Sequence, residues 1–450
     1  MKQLAIPYLQ GMPVLGHLLD FRNDRLNLLL RISRQLGDIG GVKLGSTSLV
    51  LMSSAEYVGS VMVDHASSVE RSRRLRKLQS PFIGKGLLTS DNESHKLQRK
   101  LVAPAFHHSR IATYGQVMGD VAERIQSDWT HGATIDLSHE MMRLALAIVG
   151  RALLDADLLN EAKEVGEAFS TANRCFIESS TALMQPPIDW PTPRNRRYLR
   201  AISRLDTLVH RLIEDRRRSA EHRNDLLSML LTAQNEDYPS GLSITEVRDH
   251  VMTFLLAGHE TTAATLTWTW YLLLQHPDIY ARMQAEVDSI LAGRTPTIAD
   301  MPQLPYVKQV LKESLRLYPP AYLIIRRVIH PITLDRYTLT PTMNVGISPY
   351  VLHRRPNYFP DPERFDPDRF MTEDQGKRPR YAYLPFGAGP HTCIGQHFAM
   401  MEAQLTLATL AQRVTFELVP GQHVEPEPLV TLQPNGPVKV VVRRRSPTKV

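Results

Sequence analysis

Residues 386–395 read FGAGPHTCIG, a glycine-rich loop that brings a single cysteine, Cys393, to the start of a helical stretch, residues 394–413. The unpaired N–H groups and partial positive charge at a helix N-terminus favour a thiolate over a thiol. Glycine in the loop lets the backbone approach a flat ligand closely. An isolated cysteine is most often a small buried hydrophobic residue, and that interpretation is kept for Cys175, which lacks such surroundings.

This loop resembles the haem-binding loop of the cytochrome P450 family. The family pattern is Phe, two residues, Gly, one residue, Arg, one residue, Cys, one residue, Gly; it is matched at Phe386, Gly389, Cys393 and Gly395, while His391 replaces the arginine. The resemblance implies haem b, with the Cys393 thiolate as the axial ligand of the iron. It places Phe386, Gly387, His391 and Gly395 beside the haem, and the histidine alters one propionate contact.

Helical patterns dominate the sequence. Apolar residues recur at spacings of three and four over residues 92–106, 117–129, 138–154 and 205–233. A hairpin is predicted over 41–53, and extended segments over 323–328, 337–347, 415–419 and 438–442. With the resemblance, these patterns predict a mainly α protein with a small β lobe, the cytochrome P450-like fold, as a single domain over residues 1–450. The lobe is expected to combine residues 1–60, 320–350 and 415–445.

The most strongly indicated helix begins after Ser243, because Glu246 completes a capping box with it, and ends at Gln275, ahead of Pro277. A second helix is predicted over residues 307–317, where two prolines stop it.

The centre of the first helix, residues 257–262, reads AGHETT and places an acid and two hydroxyls in an apolar surrounding. By itself, a threonine inside a helix often bonds back to a carbonyl one turn earlier. The resemblance implies that Glu260 and Thr261 are the catalytic acid and alcohol, and that Ala257 lies against the haem. Dioxygen needs two electrons and two protons before its O–O bond breaks, so Glu260 is expected to relay protons and Thr261 to hold a water.

Haem carries two carboxylates that are costly to bury without donors. By the resemblance, His95 and Arg99, spaced i,i+4, are two of the partners. Arg327 is the third candidate, with Arg326 as the alternative because the register could slip by one residue. Each of these side chains could instead be a solvated surface cation.

Glu313 and Arg316 lie on one face of the helix predicted over residues 307–317. Alone they would form an exposed ion pair of little energetic value. With Arg364 in the DPERF segment they resemble the Glu-Arg-Arg network of the family, which would lock the fold behind the haem.

A substrate cavity is expected from the resemblance, and its apolar walls favour a lipophilic small molecule such as a fatty acid or terpenoid. Each wall residue could equally belong to the ordinary core. Residues 169–200 resemble a lid at the cavity entrance. The wall residues are Phe82, Leu87, Leu88, Phe254, Ala257, Ala321, Tyr322, Leu323, Ile324, Ile325 and Leu432.

Bulk properties exclude several classes of protein. With two cysteines in 450 residues, a disulfide framework is not expected. No secretion signal and no apolar run of membrane-spanning length is found, so a cytoplasmic protein without a transmembrane anchor, expected to be a monomer, is predicted. The net charge of +7 comes with dispersed arginine clusters, at residues 71–77, 194–200, 216–218 and 443–445. They lack nucleic-acid-binding motifs and are interpreted as solvated helix faces or as attraction for an acidic protein.

The resemblance implies a monooxygenase that inserts one atom of O2 into a C–H bond, as in hydroxylation, or into a double bond. The chain has no nucleotide-binding GxGxxG motif, so electrons from NAD(P)H are expected through a ferredoxin or flavodoxin and its reductase. Two alternatives remain: a peroxygenase driven by H2O2, and a non-catalytic haem-thiolate binding or sensing protein. The intact pair Glu260 and Thr261 argues against both.

Overall fold

Helices form most of the protein in the computed structural model, which describes residues 3–182, 186–219, 223, 225–233, 241–371, 376 and 378–445. None of the described helices combines the length and apolar character that a bilayer crossing requires. The α-helices in the described residues are α1 Leu18–Asn23, α2 Arg25–Leu36, α3 Ala55–Gly59, α4 Arg73–Ile83, α5 Asn92–Val102, α6 His108–Ser127, α7 Leu137–Leu154, α8 Ala162–Ser180, α9 Pro193–Arg218, α10 Leu226–Leu231, α11 Ile244–Gln275, α12 Pro277–Leu291, α13 Pro305–Leu317, α14 Pro349–Leu352 and α15 Gln396–Arg413.

Short strands form four small sheets in the part of the chain described. They are β1 Ile39–Leu44, β2 Thr47–Met52, β3 Val69–Arg71, β4 Thr134–Asp136, β5 Ile324–Val328, β6 Ile332–Leu334, β7 Tyr337–Leu339, β8 Asn344–Ile347, β9 Val414–Leu418, β10 Pro426–Pro428, β11 Leu432–Pro434 and β12 Lys439–Arg444. The largest sheet has the order β1-β2-β8-β5-β3, and the others pair β4-β12-β9, β10-β11 and β6-β7. The predicted mainly α fold with a small β portion is confirmed.

The β lobe is built on the predicted hairpin. β1 and β2 pair antiparallel with Leu44 opposite Thr47, and β2 continues in parallel with β8. The prediction that residues 415–445 join this lobe is wrong for β9 and β12, because β12 pairs with β4 and β9 in a separate sheet, and their buried side chains Phe416, Val440 and Val442 belong to the helical core. The single-domain organisation stays a prediction.

Helix α11 runs through the middle of the helical body. Its capping box is present as predicted, with the Ser243 hydroxyl accepting from the Glu246 N–H and the Glu246 carboxylate accepting from the Ser243 N–H. Helix α7 packs closely against it at Gly258, where a Cβ would lie 2.7 Å from Val149 Cγ2. The glycine thus lets two buried helices approach each other, which a larger residue would prevent.

The single helix predicted over residues 205–233 is wrong. The structure has α9 and α10 instead, with Asp225 as the N-cap of α10, where its side chain accepts from the Ser228 N–H. Asp225 also pairs with Arg216 near the end of α9, and both side chains are buried. Between Ile213 and Leu226 the sequence is polar apart from Ala220, so the apolar spacing on either side is interrupted at the break.

The buried pair Glu313 and Arg316 lies on α13, with both side chains fully buried. Two guanidinium nitrogens donate to the two carboxylate oxygens, each at 2.7 Å. The other hydrogen bonds of Arg316 go to the carbonyls of His353, Pro362 and Arg364. Arg316 therefore ties α13 to the segment that follows α14, as the network prediction requires.

The predicted third member, Arg364, is a wrong assignment for the side chain. Arg364 is exposed and offers only its carbonyl, while the Nε of Arg369 lies 3.4 Å from Glu313 Oε1. The physical reason is the short 3-10 helix Pro367–Phe370, which packs against α13 and brings Arg369 to the carboxylate.

Substitution of these two arginines tests the correction. Arg369→Ala should lower the free energy of unfolding by about 1–3 kcal/mol, because a buried carboxylate loses a charged neighbour. Arg364→Ala, the matched control, should change it by less than about 0.5 kcal/mol. The measurement is chemical denaturation followed by circular dichroism. Equal losses in the two variants would contradict the assignment.

Candidate active site

The cysteine loop is held by backbone constraints. The N–H of Cys393 donates to the carbonyl of Phe386 at 2.9 Å, which closes the loop just before α15. Gly387 and Gly389 have φ of 74° and 70°, and a Cβ on Gly389 would lie 1.9 Å from the carbonyl oxygen of Met62. A larger residue at 389 would therefore push the loop away from the β lobe.

The two cysteines have different surroundings. Cys393 keeps accessible surface, whereas Cys175 is buried on α8. Burial raises the pKa of the Cys393 thiol, while the N–H of Gly395 and the charge of Arg99 act in the opposite direction. Burial also raises the pKa of Cys175, which agrees with its interpretation as an ordinary buried side chain.

A cationic cluster lies beside the loop. Arg99 donates to the carbonyl of Thr392 at 2.8 Å, and Arg71 Nη2 lies 3.4 Å from His391 Nδ1. The rings of His95 and His391 have centroids 4.0 Å apart. Burial, followed by the charges of Arg71, Arg99 and Arg326, lowers the pKa of His95 to about 4, so this ring is neutral at pH 7.

The structure brings Arg326 and not Arg327 to this cluster. Neighbouring residues of a strand point to opposite sides. Arg326 is 5% exposed, whereas Arg327 donates to Glu70 at 2.9 Å on the outer side of β5. The choice of Arg327 was therefore a register error of one residue.

Haem fits the charge of the cluster. Within the described residues, Asp91 is the carboxylate that lies among Arg71, Arg76 and Arg326, and its Oδ1 has no hydrogen-bond partner. Burial lowers the pKa of Arg71 to about 9, and the Arg326 charge adds to this while Asp91 opposes it. Buried guanidinium groups in excess of carboxylates call for further anions, and two propionates would supply them.

On α11, the predicted acid and alcohol are neighbours with different partners. Glu260 is buried and accepts from Asn173 Nδ2 at 2.8 Å, from Thr431 Oγ1 at 2.9 Å and from Gln433 Nε2. Burial raises the pKa of Glu260 to about 7, while the hydrogen bonds from Thr431 and Asn173 limit the rise. Thr261 is partly exposed and donates to the carbonyl of Ala257 at 2.7 Å.

Several site residues were missed by sequence reasoning. Arg71 was interpreted as part of a solvated cluster, and no sequence pattern pointed to Asn173, Thr431 or Gln433. A second buried acid, Glu402 of α15, was also missed. It accepts from the Thr262 hydroxyl of α11 at 3.3 Å, and burial raises its pKa well above the usual range.

The predicted cavity walls are only partly supported. Phe82, Leu87 and Phe254 are buried in the helical core, with Leu88 beside them, while Leu323, Ile324 and Ile325 are partly buried and Ala321 is exposed. The prediction is wrong for Leu432, which is fully buried, and for Tyr322, whose hydroxyl accepts from Arg25 and donates to the Leu429 carbonyl. A wall residue keeps accessible surface toward its cavity, so these two are core residues, as are Phe82, Leu87 and Phe254.

The predicted lid, residues 169–200, spans parts of α8 and α9, and residues 183–185 of it lie outside the described residues. Ile188 and Trp190 between the two helices are exposed. Arg174 of α8 forms a bidentate pair with Glu427 of β10, at 2.6 and 3.0 Å.

Together, a cysteine loop before a helix, a buried cationic cluster and an acid-alcohol pair are typical of a haem-thiolate oxygenase. The cytochrome P450 family model matches residues 6–442. The chain therefore belongs to the cytochrome P450 family.

Relatives and solved structures agree with this family. The chain is 39% identical over 441 residues to cyclooctatin synthase of Streptomyces melanosporofaciens, covering 97% of this chain and 95% of the relative. It is 37% identical to cyclooctat-9-en-7-ol 5-monooxygenase of the same organism, over 91% of this chain and 89% of the relative. Pentalenene oxygenase of Streptomyces avermitilis is 31% identical over 97% of both chains. The cytochrome P450DA heme domain superposes with a TM-score of 0.89 at 26% identity, over 99% of both chains. The protein is a cytochrome P450 monooxygenase.

Proposed function

We propose that this monooxygenase oxidises a cyclic terpenoid. The observation that carries the proposal is its similarity over nearly the full length to proteins named for cyclooctat-9-en-7-ol and pentalenene. The predicted wall residues that keep accessible surface are apolar and support a hydrocarbon-like substrate; they include Leu88, Leu323, Ile324 and Ile325. A fatty acid is the alternative.

Cys393 is proposed as the axial ligand of haem, with Arg71, Arg99 and Arg326 holding the propionates. His95 and His391 lie within the same cluster as neutral donors. Haem bound through a thiolate supplies oxygen activation, because the sulfur donates electron density that favours O–O cleavage. The cluster would thereby fix the orientation of the cofactor against the loop.

Glu260 and Thr261 are proposed to move protons within the site. A carboxyl with a pKa of about 7 gives up and regains a proton readily at neutral pH. The Thr261 hydroxyl donates to Ala257, which leaves its oxygen free to accept a hydrogen bond from a water. Apolar neighbours on α11 keep other water away from the substrate.

A separate protein is proposed to deliver electrons from NAD(P)H, either a ferredoxin or a flavodoxin. The net charge of +7 favours an acidic partner. A cytoplasmic monomer is proposed. Glu260 and Thr261 argue against a peroxygenase, which has no need to protonate dioxygen, and against a sensor without turnover.

Replacing each cysteine in turn tests the ligand assignment. Cys393→Ala should abolish the red-shifted carbon monoxide band of the reduced protein, because that band requires a thiolate ligand. Cys175→Ala is the matched control and should keep the full band. The measurement is the reduced carbon monoxide difference spectrum at equal haem content. A thiolate band that persists in Cys393→Ala would refute the assignment.

Substitution of the adjacent arginines tests the propionate assignment. Arg326→Gln should speed haem loss about tenfold, the equivalent of one charge-assisted hydrogen bond. Arg327→Gln should change the rate less than about twofold, because its partner is Glu70. Haem transfer to excess apomyoglobin measures both rates. Faster loss from Arg327→Gln than from Arg326→Gln would reverse the assignment.

Spectral titration tests the substrate class. A cyclic terpene should shift the haem spin state at a concentration about tenfold lower than a straight-chain fatty acid of equal carbon number, because an apolar wall leaves a carboxylate unpaired. Absorbance is followed during titration of the oxidised protein. Tighter binding of the fatty acid would favour the alternative and overturn the terpenoid proposal.

A further inference from the structure

The carboxylate of Glu260 is held by side chains from outside its own helix. Asn173 of α8 donates to Oε2, and Thr431 and Gln433 donate to Oε1. Gln433 Nε2 also lies 3.0 Å from Thr431 Oγ1, so the two donors on the hairpin side support each other. Both carboxylate oxygens are thereby occupied.

All three donors are neutral, and this affects the pKa of Glu260. An arginine or lysine beside a carboxylate would hold it ionised and lower its pKa. Neutral donors stabilise the carboxylate less, and burial opposes them, with the result that the pKa of Glu260 lies at about 7. With these three neutral donors, the pKa of the buried acid stays near 7, so both its protonated and its ionised forms are populated at neutral pH.

The same two elements are joined a second time at the surface. Arg174 follows Asn173 on α8, and it forms the bidentate pair with Glu427 of β10. Consecutive helix residues diverge by about 100°, so one side chain points to Glu260 and the next points outward. The inner contacts bring α8 and the β10–β11 hairpin to the same carboxylate of α11, and the outer ion pair joins α8 to the hairpin directly.

The neighbouring titratable groups leave this arrangement undisturbed at neutral pH. His259 precedes Glu260 on α11 and packs against Phe169 of α8, with ring centroids 4.7 Å apart. Burial lowers the pKa of His259 to about 4, so it carries no charge at pH 7. The charged groups on these packing elements are the paired Arg174 and Glu427, with Glu178 farther along α8 and Lys163, Glu164 and Glu167 near its start.

We propose that Asn173, Thr431 and Gln433 are positioning residues that hold Glu260 for proton transfer, so that this acid is set only while α8 and the β10–β11 hairpin lie closed against each other. The inference rests on the proposed role of Glu260 as the proton relay. It adds residues of α8 and of the β10–β11 hairpin to the groups that support oxygen activation. Proton transfer by Glu260 would then depend on these two elements staying in contact.

Thr431 offers a matched pair of variants for the test. Thr431→Val keeps the shape of the side chain and removes the hydroxyl, whereas Thr431→Ser keeps the hydroxyl. Loss of a donor to the charged form raises the pKa of an acid. The midpoint for protonation of Glu260 should therefore rise by about one pH unit in Thr431→Val and in Asn173→Leu, the worth of one hydrogen bond to a charged group, and stay unchanged in Thr431→Ser.

Two measurements on the holoenzyme follow the change. Infrared difference spectra against pH report protonation directly, with the Glu260 band identified by its loss in Glu260→Gln. The pH profile of product formed per electron consumed reports its use in turnover, and should move upward with the infrared midpoint. Haem content equal to that of the unchanged protein confirms that each variant folds.

The outcomes separate the two levels of the proposal. An infrared midpoint unchanged in Thr431→Val and Asn173→Leu would overturn the positioning role, as would an equal rise in Thr431→Ser. A midpoint that rises while the coupling profile stays fixed would support the contacts to the carboxylate and overturn the proton-relay role of Glu260. Parallel upward movement of both supports the whole inference.

Discussion

The burial of arginine beside the cysteine loop is the constraint on which the rest of the site depends. Arg326 comes from β5, Arg71 from the end of β3 and Arg99 from α5, so the β lobe and the helical body both contribute charge. Guanidinium groups taken out of water need anions or carbonyls as partners. Asp91 and the Thr392 carbonyl provide some of these partners, and the two propionates of haem would complete the charge balance.

The cysteine loop reaches this cluster because the lobe and the loop meet through backbone atoms. Gly389 touches the carbonyl of Met62 so closely that no side chain fits there. His391 then lies against His95 and Arg71, where the family pattern would place a longer arginine. Arg71 thus places a guanidinium beside His391, where the loop itself supplies only a neutral imidazole. We propose that Arg71 compensates for the histidine at position 391.

Local patterns predicted the elements, and tertiary register decided the partners. The capping box at Ser243 and the β1–β2 hairpin depend on residues within a few positions of each other, and both were predicted. Arg326 against Arg327 depends on which side of β5 faces the helices. Arg369 against Arg364 depends on a short 3-10 helix that has no periodic pattern of its own.

The contacts of Glu260 mark the limit of prediction from the sequence. Glu260 and Thr261 themselves were found through a motif, but the donors to Glu260 lie 87 and 171 positions away from it. Asparagine, threonine and glutamine are ordinary residues in isolation, and nothing local distinguishes them from surface side chains. Their importance comes from the fold, which brings α8 and β11 to the same carboxylate.

Two buried acids next to α11 show how their surroundings assign different roles. Glu402 has one long hydrogen bond, from Thr262, and its Oε1 has no partner, and burial raises its pKa well above the usual range. Glu260 has three donors; burial raises its pKa, and the hydrogen bonds from Thr431 and Asn173 limit the rise to about 7. Glu402, with one weak donor, favours its protonated form and can join α11 to α15, whereas Glu260, with a pKa of about 7, can exchange a proton at neutral pH. The number of neutral donors therefore distinguishes the structural acid Glu402 on α15 from the reactive acid Glu260 on α11.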